Sequence, residues 1–171
     1  MRKFSKKQVL ELSKKYSYRA TGELALTEKE IKDWLKKHKH LDKKRFVRLC
    51  LWKSSRQKRN YNKNKDSLIR EITGFSFSTR NEEVRIKSLL VLTGVSYPVA
   101  STILHFAFPK RYPIMDFRVI WSLDWNQPKR YTFDFWQKYC NEIRKLSKKF
   151  NLPIRTIDKA LWTYSKENQR T

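Results

Sequence analysis

Apolar residues recur at spacings of three and four along most of the chain, which is the period of an amphipathic helix. Only three glycines and five prolines interrupt this pattern. No internal repeat of the length used by solenoid proteins is present. The pattern predicts an all-α fold, a compact bundle of about eight helices.

Several helix starts are marked by side chains that can cap free backbone N–H groups. Ser5 with Gln8 and Thr27 with Glu30 have the spacing of capping boxes. Residues 57–66 are polar, rich in asparagine and basic, and this composition is interpreted as an exposed loop. The predicted starts are Ser5, Thr27, Asp42 and Thr79, and later helices are predicted over about 98–108, 116–123, 133–150 and 156–166.

The net charge points to a polyanionic partner. Forty Lys and Arg residues against sixteen Asp and Glu residues give a formal charge of +24 and a pI near 10.2. Self-repulsion of this size opposes folding, and binding to nucleic acid would offset it. A lysine-rich, solvated surface without a partner is the alternative. A membrane partner is disfavoured, because the basic residues are spread over many segments and no apolar run could span a bilayer.

The two cysteines, Cys50 and Cys140, are too few for a four-cysteine zinc or iron–sulfur site. Each lies in a helical pattern far from the other, so two reduced, partly buried thiols are expected. The basic N-terminus lacks the apolar stretch of a secretory signal. The expected compartment is therefore a reducing cytoplasm.

The segment from Leu89 to Ser101 predicts one helix, a tight turn and an immediate second helix. Gly94 suits the left-handed backbone of a short turn, and Ser96 can cap the second helix. Pro98 falls in the first turn, and Ala100 lets the two helices approach closely. Free N–H groups at the start of the second helix could bind a phosphate. A plain structural turn fits the same residues.

Two motifs resemble one family. Leu92–Ser96 followed by Ala100 is similar to the helix-hairpin-helix signature Leu-Pro-Gly-Val-Gly-x-x-x-Ala. One helix and a short loop later, Tyr112–Asp116 resembles the Pro-containing loop and aspartate of the same superfamily. The chain therefore resembles the helix-hairpin-helix DNA glycosylases, which include endonuclease III and the adenine glycosylases. The resemblance covers about residues 80–124.

This resemblance implies a single glycosylase-like domain over 1–171, with the hairpin at about 84–108 and the aspartate-bearing loop and helix at 109–124. It implies a partner, double-stranded DNA with a damaged or mismatched base, and a monomeric protein that associates with the nucleoid when it binds DNA. No cofactor is required. A monovalent cation, K⁺ or Na⁺, is implied at the hairpin. The residues implied for DNA phosphate are Gly94, Val95, Ser96, Tyr97 and Ala100, and those implied for the cation are the main-chain carbonyls of Leu90, Leu92 and Val95.

The chain departs from the family pattern in two places. The second hairpin glycine is Ser96 here, whose N–H can still bind a phosphate. Pro98 stands where bifunctional members carry the lysine that forms a Schiff base, and proline has no amine. These residues predict a monofunctional enzyme that uses water as its nucleophile, and the cysteine count predicts no iron–sulfur cluster.

Asp116 has two compatible interpretations. It directly precedes an apolar helical run, where aspartate is a favoured N-cap. The resemblance instead makes it the carboxylate that stabilises positive charge on the deoxyribose as the base leaves, as carboxylates do in glycoside hydrolases. One carboxylate oxygen could cap the helix while the other faces the sugar.

Two other functions remain open on the sequence alone. The fold and hairpin could serve a duplex-binding protein without catalysis, or a subunit of a larger nucleic-acid machine. The lesion is also open, since oxidised, alkylated and deaminated bases and mismatched thymine are all compatible with these residues. A glycosylase must flip its target nucleotide out of the duplex, because the bond is unreachable in the stack.

Overall fold

A computed structural model describes residues 4–17 and 23–169, with side chains from residue 28 onward in the second range. All regular structure in these ranges is helical, so the predicted all-α class is confirmed. None of these helices is both long and apolar enough to cross a lipid bilayer. The helices are α1 (Lys6–Lys14), α2 (Glu23–Lys37), α3 (Lys43–Lys53), α4 (Lys58–Lys63), α5 (Asp66–Ser78), α6 (Glu82–Leu89), α7 (Tyr97–Ala107), α8 (Phe117–Ser122), α9 (Phe133–Phe150) and α10 (Ile154–Asn168).

The chain divides into two compact units. Residues 19–108 form one unit, here called the hairpin unit, which contains α2 to α7. Residues 1–18 and 109–171 form the other, here called the terminal unit, which contains α1 and α8 to α10. The assignment of residues 1–171 to one domain stays a prediction.

The hairpin unit is built around α3, which packs against α2, α4, α5 and α7. Two adjacent turns of α3 bury Phe46, Leu49 and Cys50 without measurable exposure. Burial raises the pKa of the Cys50 thiol well above its ordinary value, so the group is a neutral core residue. The expected free thiols are confirmed at Cys50 and Cys140, and both are buried more fully than predicted.

The terminal unit is organised by α10, which packs against α1, α8 and α9. The amphipathic helix α9 buries Trp136, Tyr139 and Ile143 along one face. It ends at Asn151, whose φ of 50° is left-handed, and the Leu152 N–H returns to the Ser147 carbonyl at 3.1 Å. This confirms the predicted break between the last two helices.

The N-cap predictions have mixed outcomes. Ser5 caps α1 in a capping box with Gln8, and the Asp42 carboxylate accepts the Arg45 N–H at 2.8 Å, as predicted. The start at Thr27 is wrong, because α2 begins at Glu23 and Thr27 lies within the helix. Residues 23–26 are Glu-Leu-Ala-Leu, strong helix formers that carry the helix upstream. The side chain of Thr27 lies outside the described residues.

The start at Thr79 is also wrong, by two residues. The Thr79 N–H still donates to the Phe75 carbonyl, so Thr79 terminates α5. Asn81 is the N-cap of α6, and its side chain accepts the Val84 N–H at 3.0 Å. Asparagine is as good an N-cap residue as threonine. Asn81 lies beyond the last backbone N–H that bonds back into α5, so it is free to begin the next helix.

Residues 57–66 are not an exposed loop, contrary to the prediction. They contain α4, whose Tyr61 is fully buried, and Asn64 is also buried. The sequence gives no sign of this helix, because only one aromatic side chain, that of Tyr61, joins it to the core and no apolar periodicity results. The error matters for function, since this helix holds the hairpin turn.

Candidate nucleic-acid interface and acidic loop

The hairpin turn between α6 and α7 depends on the backbone of Gly94. Its φ is 89°, the left-handed region that side chains rarely adopt, as predicted. A Cβ atom at this position would lie 3.0 Å from both the Cβ of Asn60 and the Tyr61 ring. The Val95 N–H closes the turn by donating to the Leu92 carbonyl at 3.0 Å. Strain and close packing therefore both demand glycine here.

The residues that lead into α7 carry backbone donors that could bind an anion. Ser96 is the N-cap residue, but its exposed hydroxyl makes no cap hydrogen bond, so the prediction of a side-chain cap is wrong. The structural reason is that Pro98 lies in the first turn and removes one of the N–H groups a cap would satisfy. Among the described residues, none accepts a hydrogen bond from the N–H of Gly94 or Ser96. An anion could accept from both.

The other residues predicted to bind phosphate play different parts. The Val95 N–H is used inside the turn, and the Ala100 N–H donates to the Ser96 carbonyl at 2.8 Å. The Ala100 side chain is fully buried. Tyr97, the first residue of α7, is half-buried. Of the five residues predicted to bind phosphate, Gly94 and Ser96 therefore carry N–H groups that no described residue accepts.

The hairpin turn is anchored by a side chain that sequence analysis missed. The Asn64 amide donates to the Thr93 carbonyl at 3.0 Å, and its oxygen accepts the Thr93 N–H at 2.8 Å. This pair of bonds satisfies the backbone N–H and the backbone carbonyl of Thr93. Thr93 stands where the family signature has proline, which has no N–H to donate. A bond across 29 residues leaves no local signal in the sequence.

A buried arginine braces the first helix of the hairpin. Arg85 on α6 is 4% exposed, and its guanidinium donates to the carbonyls of Ser76 and Phe77 at 2.8 and 3.0 Å and also to that of Thr79. These carbonyls lie at the end of α5, where a helix has no internal partners for them. The same guanidinium lies over the Phe108 ring at 5.1 Å. Arg85 thus fixes α5 against α6 and the end of α7.

In the terminal unit, Asp116 is the N-cap of α8. Its Oδ1 accepts the Arg118 N–H at 3.0 Å, and the residue is half-buried. The capping interpretation is therefore correct, and it uses one carboxylate oxygen. Arg118 itself lies over the rings of Phe117 and Trp162.

Two buried side chains, one on α9 and one on α10, fix the loop that carries Asp116. The Tyr139 hydroxyl on α9 donates to the Ile114 carbonyl at 2.8 Å. The Asp158 carboxylate on α10 accepts the Ile114 N–H at 2.9 Å. Both polar groups of Ile114, two residues before Asp116, are thus fixed by the longest helices of the unit. These partners are 25 and 44 residues away in sequence, so no local pattern around Asp116 indicates them.

The same environment keeps Tyr139 protonated. Burial, followed by the negative charges of Asp158 and Asp116, holds the pKa of Tyr139 well above its ordinary value. The phenol therefore remains a hydrogen-bond donor at any physiological pH. The Tyr139 hydroxyl thus stays a donor to the Ile114 carbonyl, while the Asp158 carboxylate accepts the Ile114 N–H.

The chain is similar in fold to one protein of known structure, as comparison with known proteins shows. No protein-family model and no curated protein sequence matches the chain. A solved structure does: the 8-oxoguanine glycosylase/lyase of Methanocaldococcus jannaschii, crystallised with a 15mer DNA containing 8-oxoguanine. The match covers 97% of this chain and 84% of the archaeal one, with 20% identity and a TM-score of 0.52. The chain therefore has the fold of that glycosylase/lyase.

Proposed function

We propose that this protein is a DNA glycosylase that hydrolyses the N-glycosidic bond of a damaged or mismatched base in duplex DNA. The observation that carries the proposal is the carboxylate of Asp116, set at the end of a loop fixed by Tyr139 and Asp158. The fold around it is that of a glycosylase/lyase. A fixed, half-buried carboxylate suits electrostatic catalysis, because it needs little reorganisation when charge develops.

In the proposed reaction the bond between C1′ and the base nitrogen breaks, and the electron pair leaves with the base. The sugar becomes an oxocarbenium-like cation, which the negative charge of Asp116 stabilises. Asp116 also orients a water molecule and accepts its proton as the oxygen bonds to C1′. That proton then passes to the nitrogen of the departing base, which restores the Asp116 carboxylate, and the products are the free base and an abasic site. The capping bond to the Arg118 N–H holds one carboxylate oxygen in place during these steps.

We propose water, and not an amine, as the nucleophile. The resemblance of the hairpin to the family signature sets Pro98 where bifunctional members carry the Schiff-base lysine, and proline cannot form an imine with the sugar aldehyde. In this respect the protein would differ from the archaeal enzyme, whose description includes lyase activity. The strand would therefore stay intact after base release.

The hairpin would hold a backbone phosphate in this scheme. The N–H groups of Gly94 and Ser96 and the positive end of α7 favour an anion at that point. A monovalent cation bound by the carbonyls of Leu90, Leu92 and Val95 would add positive charge there. The Leu92 carbonyl already accepts the Val95 N–H, and its second lone pair remains available to such an ion.

Single-turnover reactions with a panel of damaged and mismatched duplexes test the proposal. Each reaction is read with and without hot alkali, for the wild type, Asp116→Asn and Asp42→Asn. Asparagine retains N-capping, so Asp116→Asn removes the charge and keeps the helix start. Asp42→Asn is the matched control, since Asp42 caps α3 in the same way.

We expect strand cleavage only after alkali, unchanged in Asp42→Asn and reduced at least about a hundredfold in Asp116→Asn. Cleavage without alkali would refute the water mechanism and leave the glycosylase assignment intact. Tight duplex binding without base release from any substrate would refute the enzyme and favour a DNA-binding role.

A further inference from the structure

We propose that the segment Arg56–Lys65, here called the basic segment, is a second DNA-backbone surface that binds phosphates beside the one held by the hairpin. The inference rests on the proposed binding of duplex DNA and is independent of base release. It assigns a role to a helix that has no part in the hairpin signature.

Charge and exposure make the first step of the argument. The basic segment contains no acidic residue. Its five basic residues are all exposed and none forms an ion pair within residues 4–17 and 23–169, in contrast to Lys32 and Lys36 on α2, which pair with Glu28 and Asp33. Their charge is left for an external anion. These residues are Arg56, Lys58, Arg59, Lys63 and Lys65.

The second step is position. The basic segment touches the turn that presents the free N–H groups, since Asn60 and Tyr61 lie directly against Gly94. Asn64 bonds both polar groups of Thr93. Because α4 and the turn are joined by a buried aromatic ring and two hydrogen bonds, they form one rigid surface. The basic side chains of the segment therefore lie beside the hairpin turn before a duplex binds to it.

The third step concerns which polyanion fits. Four of the uncharged residues of the segment are amides. Asn60 donates to Gln57 at 2.6 Å, and Asn62 donates to the Lys58 carbonyl at 2.8 Å. Its aromatic residue is buried, so no apolar face remains for lipid acyl chains. Cations and amides without apolar surface are the usual partners of sugar and phosphate.

The test measures duplex affinity over a range of salt concentrations. The variant Lys58→Gln/Arg59→Gln/Lys63→Gln is compared with Lys29→Gln/Lys37→Gln/Lys39→Gln, which removes three exposed lysines from the same unit. Undamaged duplex is used, with Asp116→Asn as the common background, so that base release cannot affect the result. Each phosphate contact contributes about 0.9 to the slope of log K against log salt.

We expect the basic-segment variant to lose about tenfold or more in affinity at 0.1 M salt and about 2 in slope. The control should lose less than about 1 in slope. Equal losses in the two variants would overturn the inference, because net charge alone would then explain them. A second variant, Asn64→Ala, keeps every cation and releases the anchor, and we expect it to weaken binding about threefold or more.

Failure of this inference can be told apart from failure of the proposed function. Base release by the wild type tests the enzyme assignment, whereas duplex affinity in the Asp116→Asn background tests this inference, so either can fail alone. If the wild type shows no preference for duplex DNA over heparin at matched salt, the proposed DNA binding fails as well. Circular dichroism of each variant verifies that the exposed substitutions leave the helices intact.

Discussion

At the scale of single residues, the Asp116 loop depends on bonds made to a neighbour. Tyr139 and Asp158 act as positioning residues, because they hold the Ile114 peptide and do not themselves reach the reacting atoms in the proposed scheme. Their contribution would be to keep the carboxylate in place while charge develops. A displacement of the loop would weaken electrostatic stabilisation, which depends on fixed geometry.

The first prediction concerns Tyr139→Phe. We expect base release under single-turnover, saturating conditions to slow about tenfold, equivalent to about 1.4 kcal/mol of barrier. Duplex affinity should not change, because the hairpin belongs to the other unit. Tyr164→Phe is the control, because Tyr164 lies on α10 in the same unit and its ring packs against Phe4 and Trp121. A loss of stability with an unchanged rate would limit Tyr139 to a structural role.

The second prediction is a pH dependence of stability at Tyr61. Burial, with a smaller effect of Cys50, raises the pKa of Tyr61 to about 12, above the value of about 10 in an unfolded chain. The contribution of the Tyr61 hydroxyl to the free energy of unfolding is therefore fully present below pH 10. It is lost as the pH rises from about 10 to 12, because this hydroxyl ionises first in the unfolded state. We expect Tyr61→Phe to remove about 1–2 kcal/mol of that loss in urea unfolding. An unchanged alkaline loss in the variant would contradict the prediction.

At the scale of helices, local signals were sufficient wherever one residue decides the backbone. Gly94 has a left-handed φ, as its place in the signature predicted, and Asp116 caps α8. Helix α4 was missed because its stability comes from Tyr61 and Asn64, which contact other elements, and not from an apolar stripe. The bond between Asn64 and Thr93 could not be predicted, since nothing near either residue indicates its partner.

The third prediction concerns the contact between α5 and α6. Arg85→Met should destabilise the protein by about 2–4 kcal/mol, because it leaves the buried end carbonyls of α5 without a donor. Arg80→Met, at an exposed position in the same connection, should stay within about 0.5 kcal/mol of the wild type. Urea unfolding at neutral pH measures both. Similar values for the two variants would show that α5 ends are stabilised by other contacts.

At the scale of the whole molecule, the net charge of +24 is a cost that a polyanion relieves. Ion pairs in the described residues are few and mostly half-exposed, such as Lys15 with Glu167, so they return little stability. Repulsion among the remaining cations should therefore dominate the electrostatic free energy of folding. That balance distinguishes this protein from one whose surface charges are paired.

The fourth prediction follows from that balance. Raising sodium chloride from 0.02 to 0.3 M shortens the Debye length from about 20 Å to about 6 Å and should screen the repulsion. We expect the melting temperature to rise by several degrees, and duplex DNA at low salt to raise it further by binding the native state. Sucrose, which stabilises without screening, separates the charge effect from general exclusion. A melting temperature that falls with salt would mean that attractive ion pairs outweigh repulsion, and the charge would then need no polyanion to explain it.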